Sequence, residues 1–284
     1  MIKEVAIVGG GRMGRGIAHA FLIRGISVLL VDLEKDTLQK AEIAIKQSVS
    51  KSAEQDEVID IEQVMSLLHL STQISDIAQS NLIIEAVPED FLLKERVLDA
   101  IDGYVSSTAI LATNTSSFSI RELAISRKYP QNFLGLHFFN PVPLSLMVEI
   151  VFTAEIPEET ILLASAWVTK IGKTPLQIAD SPGFASSRLG IILGLEAMRM
   201  LEEGVATAAD IDAAMVLGYK HPIGPLKLTD IVGLDVRLGI AKYLEEHLGP
   251  RFAPPKILID LVAEGSLGRK SGKGFYEWGM VEDK

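Results

Sequence analysis

Val5-Ala6-Ile7-Val8-Gly9-Gly10-Gly11-Arg12-Met13-Gly14 is the stretch that decides the fold. The apolar run to Val8 reads as a buried strand. The glycine turn opens an amphipathic stretch, Met13 to Arg24, with Ile17, Ala18, Phe21 and Leu22 on one helical face. A second apolar run, Ser27-Val28-Leu29-Leu30-Val31, ends in Asp32. Strand, glycine turn, helix, strand and acid in this order form a dinucleotide-binding pattern, and the order makes the glycines informative.

Each residue type has a physical task. Gly9 permits the tight turn, Gly11 leaves the backbone open to a pyrophosphate, and Gly14 lets the helix approach the strand. The free N–H groups at the helix N-terminus favour phosphate. Asp32 at the end of the second strand is placed to bind both ribose hydroxyls and to repel a 2′-phosphate, so NAD is expected rather than NADP.

Composition narrows the function classes. A net charge of −10 argues against broad nucleic-acid or anionic-membrane binding. There is no cysteine, so disulfides, thiol nucleophiles and thiolate metal sites are excluded. No apolar run approaches membrane-spanning length, and no charged-then-apolar leader precedes the first strand. A cytoplasmic location is expected. The histidines, His19, His69, His137, His221 and His247, are dispersed without ligand spacing, and no metal is expected.

Strand-like and helix-like runs alternate onward: Asn81 to Val87, Phe91 to Ile101, Ala109 to Thr113, Phe133 to Phe138, Leu146 to Val151, and a helix from Thr160 to Gly172. Such alternation implies a Rossmann-like, doubly wound parallel sheet. Residues 49–70 have helical spacing and are expected to project as a helical hairpin. The character changes at Asp180-Ser181-Pro182-Gly183. Beyond it the pattern is helical: Phe184 to Glu203, a helix from Thr207, then Pro225 to Leu248 and Pro254 to Glu264. The expected α/β architecture is an NAD-binding domain over 1–181 and an all-α substrate and dimerisation domain over 182–284, with the chemistry between them.

Two strand ends carry candidate chemistry, because carboxyl ends of parallel strands face the ligand crevice. Asn114-Thr115-Ser116-Ser117 follows one of them. The competing reading, an N-cap for the segment beginning at Ile120, is the commoner use of such serines taken alone. His137 lies at the end of another, where it could take an alcohol proton as hydride leaves. A lone His in an apolar run is often only a satisfied core residue. Glu149, out of place in Met147-Val148-Glu149-Ile150-Val151, needs a partner if buried, and His137 is a candidate. The alternative is an edge-strand Glu facing water.

Taken together, Gly9 to Ala18, Glu85-Ala86-Val87-Pro88-Glu89, Asn114 to Ser117, His137 to Pro143, His221-Pro222-Ile223-Gly224-Pro225, Asp230 to Asp235, and Gly272-Lys273-Gly274-Phe275-Tyr276 resemble the 3-hydroxyacyl-CoA dehydrogenase family, of the 3-hydroxybutyryl-CoA dehydrogenase type. The resemblance runs over about residues 2–278. It implies oxidation of (3S)-3-hydroxyacyl-CoA to 3-oxoacyl-CoA with hydride passing to NAD. It further implies that His137 is the general base oriented by Glu149, and that Ser116 bonds the substrate beside the nicotinamide. Gly9, Gly11, Met13, Gly14 and Asp32 of the glycine unit, with Glu89, Lys94, Ser116, Asn140 and Lys270, fall at cofactor positions. Ser48 falls at a coenzyme A position, although Gln55 stands where the resemblance calls for a lysine. Lys40, Lys46 and Lys51 offer positive charge for its phosphates.

One departure stands out. In Pro182-Gly183-Phe184-Ala185-Ser186-Ser187-Arg188, Ser187 takes the place of an asparagine that bonds the substrate in the family. Ser187 is expected to keep that contact, directly or through water. A homodimer through the second domain is also implied. The sequence leaves open a dehydrogenase of a non-CoA hydroxy acid or sugar acid, and a non-enzymatic NAD-binding structural protein.

Overall fold

Glu4–Val8 (β1), Arg12–Leu22 (α1) and Ser27–Val31 (β2) form the opening unit in the computed structural model, which describes residues 4–56 and 58–279. The chain divides into two compact units at Ser181/Pro182.

The first unit continues through Lys35–Ala53 (α2), Ile61–Met65 (α3), Leu68–Ser71 (β3), Leu82–Glu85 (β4), Phe91–Asp102 (α4) and Ile110–Thr113 (β5). It ends with Ile120–Ala124 (α5), Phe133–Phe138 (β6), Met147–Phe152 (β7), Glu158–Lys170 (α6) and Thr174–Ala179 (β8). The sheet order is β3-β2-β1-β4-β5-β6-β7-β8. Strands β1 to β6 pair in parallel. The order reverses at β1, which lies between β2 and β4. A crevice therefore opens beyond the carboxyl ends of β1 and β4, where a doubly wound sheet binds its ligand.

Three features differ from the sequence expectation. Residues 49–70 are not a projecting hairpin. The first nineteen-residue helix, α2, already runs from Lys35, α3 is short, and β3 joins the sheet beside β2. In β3, Leu68, Leu70 and Ser71 are half-buried and His69 is exposed, so the strand lacks the continuous apolar run of a central strand. The sheet is also not parallel throughout, because β7 runs antiparallel to β6 and β8 follows it in parallel. Finally, β8 escaped notice because Thr174-Pro175-Leu176-Gln177-Ile178-Ala179 is a half-exposed edge strand.

The core on the sheet's first face comes from α1, α2 and α6 packing over Ile7, Leu30, Ile84, Leu136 and Ile150. Alternation along β6 sends Leu134, Leu136 and Phe138 into that core and leaves Gly135 and His137 on the other face.

The second unit contains Ser186–Glu202 (α7), Ala208–Ala213 (α8), Pro225–Val232 (α9), Leu234–Leu248 (α10) and Lys256–Ala263 (α11). Its core includes Leu195, Met198, Leu226, Leu234, Leu244 and Leu258. The expected Pro225 to Leu248 helix is broken at Gly233, whose φ of 108° ends α9. Buried carboxylates tie the unit together. Asp212 accepts the N–H groups of Leu226 (2.8 Å) and Lys227 (2.9 Å) at the start of α9. Asp230 accepts those of Phe275 and Tyr276 (2.9 Å each) and the Trp278 indole N–H (2.8 Å). The Gly272 to Tyr276 segment is thereby closed onto α9.

Candidate active site

The glycine turn has the geometry its residues require. Gly9 adopts φ 114°, donates to the Val31 carbonyl (2.8 Å), and leaves no room for a Cβ, which would meet the Ala86 carbonyl oxygen at 2.8 Å. A Cβ on Gly14 would lie 1.8 Å from the Gly9 carbonyl oxygen, so only glycine lets α1 reach the strand. Beyond Gly11 there is open space. Asp32 accepts the Gly10 N–H (2.8 Å) through Oδ2 and the Glu34 N–H (3.1 Å) through Oδ1.

A cleft of about 640 Å³ opens at these strand ends. Gly9, Gly11, Met13, Asp32, Glu89, Ser116, His137 and Asn140 all line it. These residues fit a dinucleotide: open backbone at the helix N-terminus for phosphates, and a carboxylate at the β2 end for ribose. Met13 is half-buried at the start of α1 and Gly14 lies beneath the turn.

The loop after β5 is organised by Glu89. Its Oε1 accepts from Thr115 Oγ1 (2.7 Å), the Ser116 N–H (2.8 Å), Ser116 Oγ (3.0 Å) and Ser117 Oγ (3.3 Å). Its Oε2 lies 3.4 Å from Lys94 Nζ. The α5 cap is instead Ser119, whose side chain accepts the Glu122 N–H, with Asp180 accepting the N–H groups of Ile120 and Arg121. Ser116 and Ser117 are therefore not needed for capping.

Lys94 lies beneath this loop with 0% exposure. Its ammonium donates to both oxygens of the equally buried Glu85 (2.9 and 3.1 Å). Glu85 also accepts from Thr113 Oγ1 and from the Val87 N–H (2.8 Å). The sequence reading missed the role of Glu85. Its signal was the one that singled out Glu149, a carboxylate inside an apolar strand.

His137 and Glu149 are opposite residues in the antiparallel register of β6 and β7. The imidazole Nδ1 lies 2.8 Å from Glu149 Oε2, and Glu149 is fully buried. The Phe139 ring packs 4.3 Å from the imidazole. Glu149 is thus not an edge residue facing water. Asn114 Oδ1 accepts the Phe138 N–H (2.9 Å) and ties the β5 and β6 ends together.

Ser48 is half-buried on α2 and lines a smaller adjoining hollow. Gln55 is exposed just past α2. Two other expected site residues lie in the second unit. Ser187 is half-buried in the first turn of α7, and Lys270 is exposed with its ammonium 2.6 Å from Asp235.

Comparison with known proteins agrees along the chain. The family model described as "3-hydroxyacyl-CoA dehydrogenase, NAD binding domain" matches residues 4–181, and that described as "3-hydroxyacyl-CoA dehydrogenase, C-terminal domain" matches 183–278. A probable 3-hydroxybutyryl-CoA dehydrogenase of Deinococcus radiodurans is 38% identical, covering 97% of this chain and 100% of the relative. A 3-hydroxybutyryl-CoA dehydrogenase of Mycobacterium tuberculosis is also 38% identical, with 98% and 99% coverage. The crystal structure of the (S)-3-hydroxybutyryl-CoA dehydrogenase of Ralstonia eutropha superposes with a TM-score of 0.95 at 36% identity, covering 98% of this chain and all of that one. With both halves matched and the glycine cleft intact, the chain belongs to the 3-hydroxyacyl-CoA dehydrogenase family of NAD-dependent oxidoreductases.

Proposed function

We propose that this chain interconverts (3S)-3-hydroxyacyl-CoA and 3-oxoacyl-CoA, with His137 as the acid–base residue and Glu149 as its orienting partner. The observation that carries the reading is the His137 imidazole on the cleft wall, 2.8 Å from a carboxylate without exposure. A charged carboxylate there accepts the Nδ1 proton, which assigns the lone pair to Nε2. Bound NAD supplies the hydride acceptor. As the C3–H electron pair leaves, Nε2 takes the hydroxyl proton and C3–O becomes a carbonyl. Glu149 stabilises the imidazolium that forms, and in reduction the same proton returns to the alkoxide oxygen.

Ser116, held by Glu89 through its N–H and its hydroxyl, positions the C3 oxygen beside the nicotinamide. Glu89, Asn140 and Lys270 contact the cofactor, while Lys94 supports it from below through Glu89. Ser187 bonds the substrate thioester from the second unit. That unit also carries the homodimer contact; its exposed Leu189, Leu217 and Tyr219 support this. A reducing, cytoplasmic compartment is part of this reading.

The test is loss of NADH absorbance with acetoacetyl-CoA, with free acetoacetate as control. Turnover of the CoA ester alone, abolished in His137→Ala, is expected. Turnover of free acetoacetate at a matching rate would point to a non-CoA hydroxy acid instead.

A further inference from the structure

The segment between β6 and β7 has few bonds of its own. It runs Phe139-Asn140-Pro141-Val142-Pro143-Leu144-Ser145-Leu146, and its two prolines have no N–H to donate. One turn forms within it, where the Pro141 carbonyl accepts the N–H groups of Leu144 (3.0 Å) and Ser145 (3.1 Å). Yet Phe139 and Asn140 at its start line the cofactor cleft. Asn140 is exposed, and among the described residues no hydrogen bond anchors its side chain. Its place at the rim therefore depends on what fixes the backbone behind it.

Two contacts do so. Val142 is buried and packs so closely on α1 that a Cβ on Gly16 would meet its side chain at 3.0 Å. Lys173, in the connection from α6 to β8, supplies the second. Its Nζ donates to the carbonyl oxygens of Val142 (2.7 Å) and Ser145 (2.5 Å). The next residue continues the clasp, because the Thr174 N–H donates to the Leu146 carbonyl (2.7 Å).

Lys173 is a poor choice for stability alone. It is buried, with 7% exposure, and among the described residues no carboxylate pairs with it. Burial, and then the charge of the neighbouring Arg24 guanidinium, pull its ammonium below the usual lysine range. An apolar side chain of similar length would fill the space without a buried, unpaired charge. Such a side chain has no donor, whereas an ammonium carries three and gathers both carbonyls at once.

We propose that Lys173 is a positioning residue for the cofactor cleft. By gathering the Val142 and Ser145 carbonyls it holds the β6–β7 segment on α1, and so sets Asn140 at the rim. Lys173 itself does not line the cleft. The inference rests on the reading of Asn140 as a cofactor contact.

The experiment measures NADH binding by fluorescence titration in the wild type, N140A, K173M and the double variant, with urea midpoints alongside. The expected result is binding about tenfold weaker in each single variant, with the double variant close to K173M rather than about a hundredfold weaker. K173R keeps the charge and the donors, and is expected to recover part of the affinity. Losses that multiply in the double variant would show that Lys173 acts apart from Asn140, and would overturn the proposal. A lowered urea midpoint with unchanged NADH affinity in K173M would mark a lysine that serves packing alone, which also overturns it. Should N140A bind NADH as the wild type does, the reading of Asn140 fails. Weaker binding in K173M would then still support its hold on the cleft wall, and unchanged binding would overturn it. If K173M does not fold, K173Q, which keeps an N–H donor without the charge, takes its place in the cycle.

Discussion

His137 and Glu149 face each other across the antiparallel β6–β7 ladder, and their side chains meet at 2.8 Å. Opposite residues of an antiparallel pair project to the same side, so the register itself delivers the carboxylate to the imidazole. The antiparallel pairing of β7 with β6 sets this register, and β8 follows β7 in parallel. Glu149→Gln keeps the shape but exchanges the charge for an amide that holds the imidazolium poorly. A loss of about 10²-fold in kcat is expected, against 10³-fold or more for His137→Gln, with NADH affinity retained by both. Stopped-flow reduction of acetoacetyl-CoA checks this; equal activity of E149Q and wild type would remove Glu149 from the mechanism.

Asp32 has two tasks that separate experimentally. Its Oδ2 and Oδ1 accept the Gly10 and Glu34 N–H groups, and its charge is expected to repel a 2′-phosphate. Asp32→Asn keeps acceptor capacity but removes the charge. Discrimination against NADPH is expected to fall about tenfold or more, since tenfold corresponds to about 1.4 kcal/mol, with little loss of thermal stability. Equal preference in variant and wild type would place cofactor choice elsewhere.

Much of this site is legible in the sequence because its residues interrupt patterns. Gly9 and Gly14 fall where a Cβ would strike backbone, and Glu149 breaks an apolar strand. What stays hidden follows edges and long-range packing. β3 and β8 are only partly buried, so hydrophobic periodicity marks them weakly, although pairing with β2 and β7 settles them. The Glu85–Lys94 pair spans a strand, a turn and a helix, and no local spacing rule reports it.

That pair gives a stability prediction. Lys94→Met leaves Glu85 buried with hydrogen bonds from Thr113 and Val87 but no counter-charge. Breaking one side of a buried pair costs about 3–5 kcal/mol, whereas removing both charges costs much less. The K94M urea midpoint is expected to drop sharply, and K94M combined with Glu85→Gln to recover part of it. A double variant no more stable than K94M would mean that the loss is one of packing.

Ser187 lies in the first turn of α7, where the family resemblance implies an asparagine. Its hydroxyl has one proton to give and a shorter reach. Ser187→Ala is expected to lower kcat/KM for acetoacetyl-CoA by about 10-fold to 10²-fold, the scale of one preorganised donor. Ser187→Asn is expected to equal or exceed wild type. Steady-state kinetics of both variants decide the matter, and S187A behaving as wild type would exclude the contact.

His19 sets a pH limit on the fold. It is buried in α1, with Nε2 3.1 Å from Ser52 Oγ and Nδ1 unbonded. Burial, reinforced by the Lys173 ammonium and opposed by a bond to the Ser48 backbone, pulls its pKa down from 6.5 to about 4. The folded protein therefore binds fewer protons than the unfolded chain over that interval, and stability rises with pH across it. The stabilisation is complete above pH 6.5 and is lost as pH falls towards about 4. It amounts to something on the order of 2–3 kcal/mol. Urea unfolding at pH 7 and at pH 4.5 measures it. Carboxylates also titrate in this range, so the informative comparison is with His19→Gln, whose stability should fall less between the two pH values. Parallel losses in the variant and the wild type would show that His19 is not the group responsible.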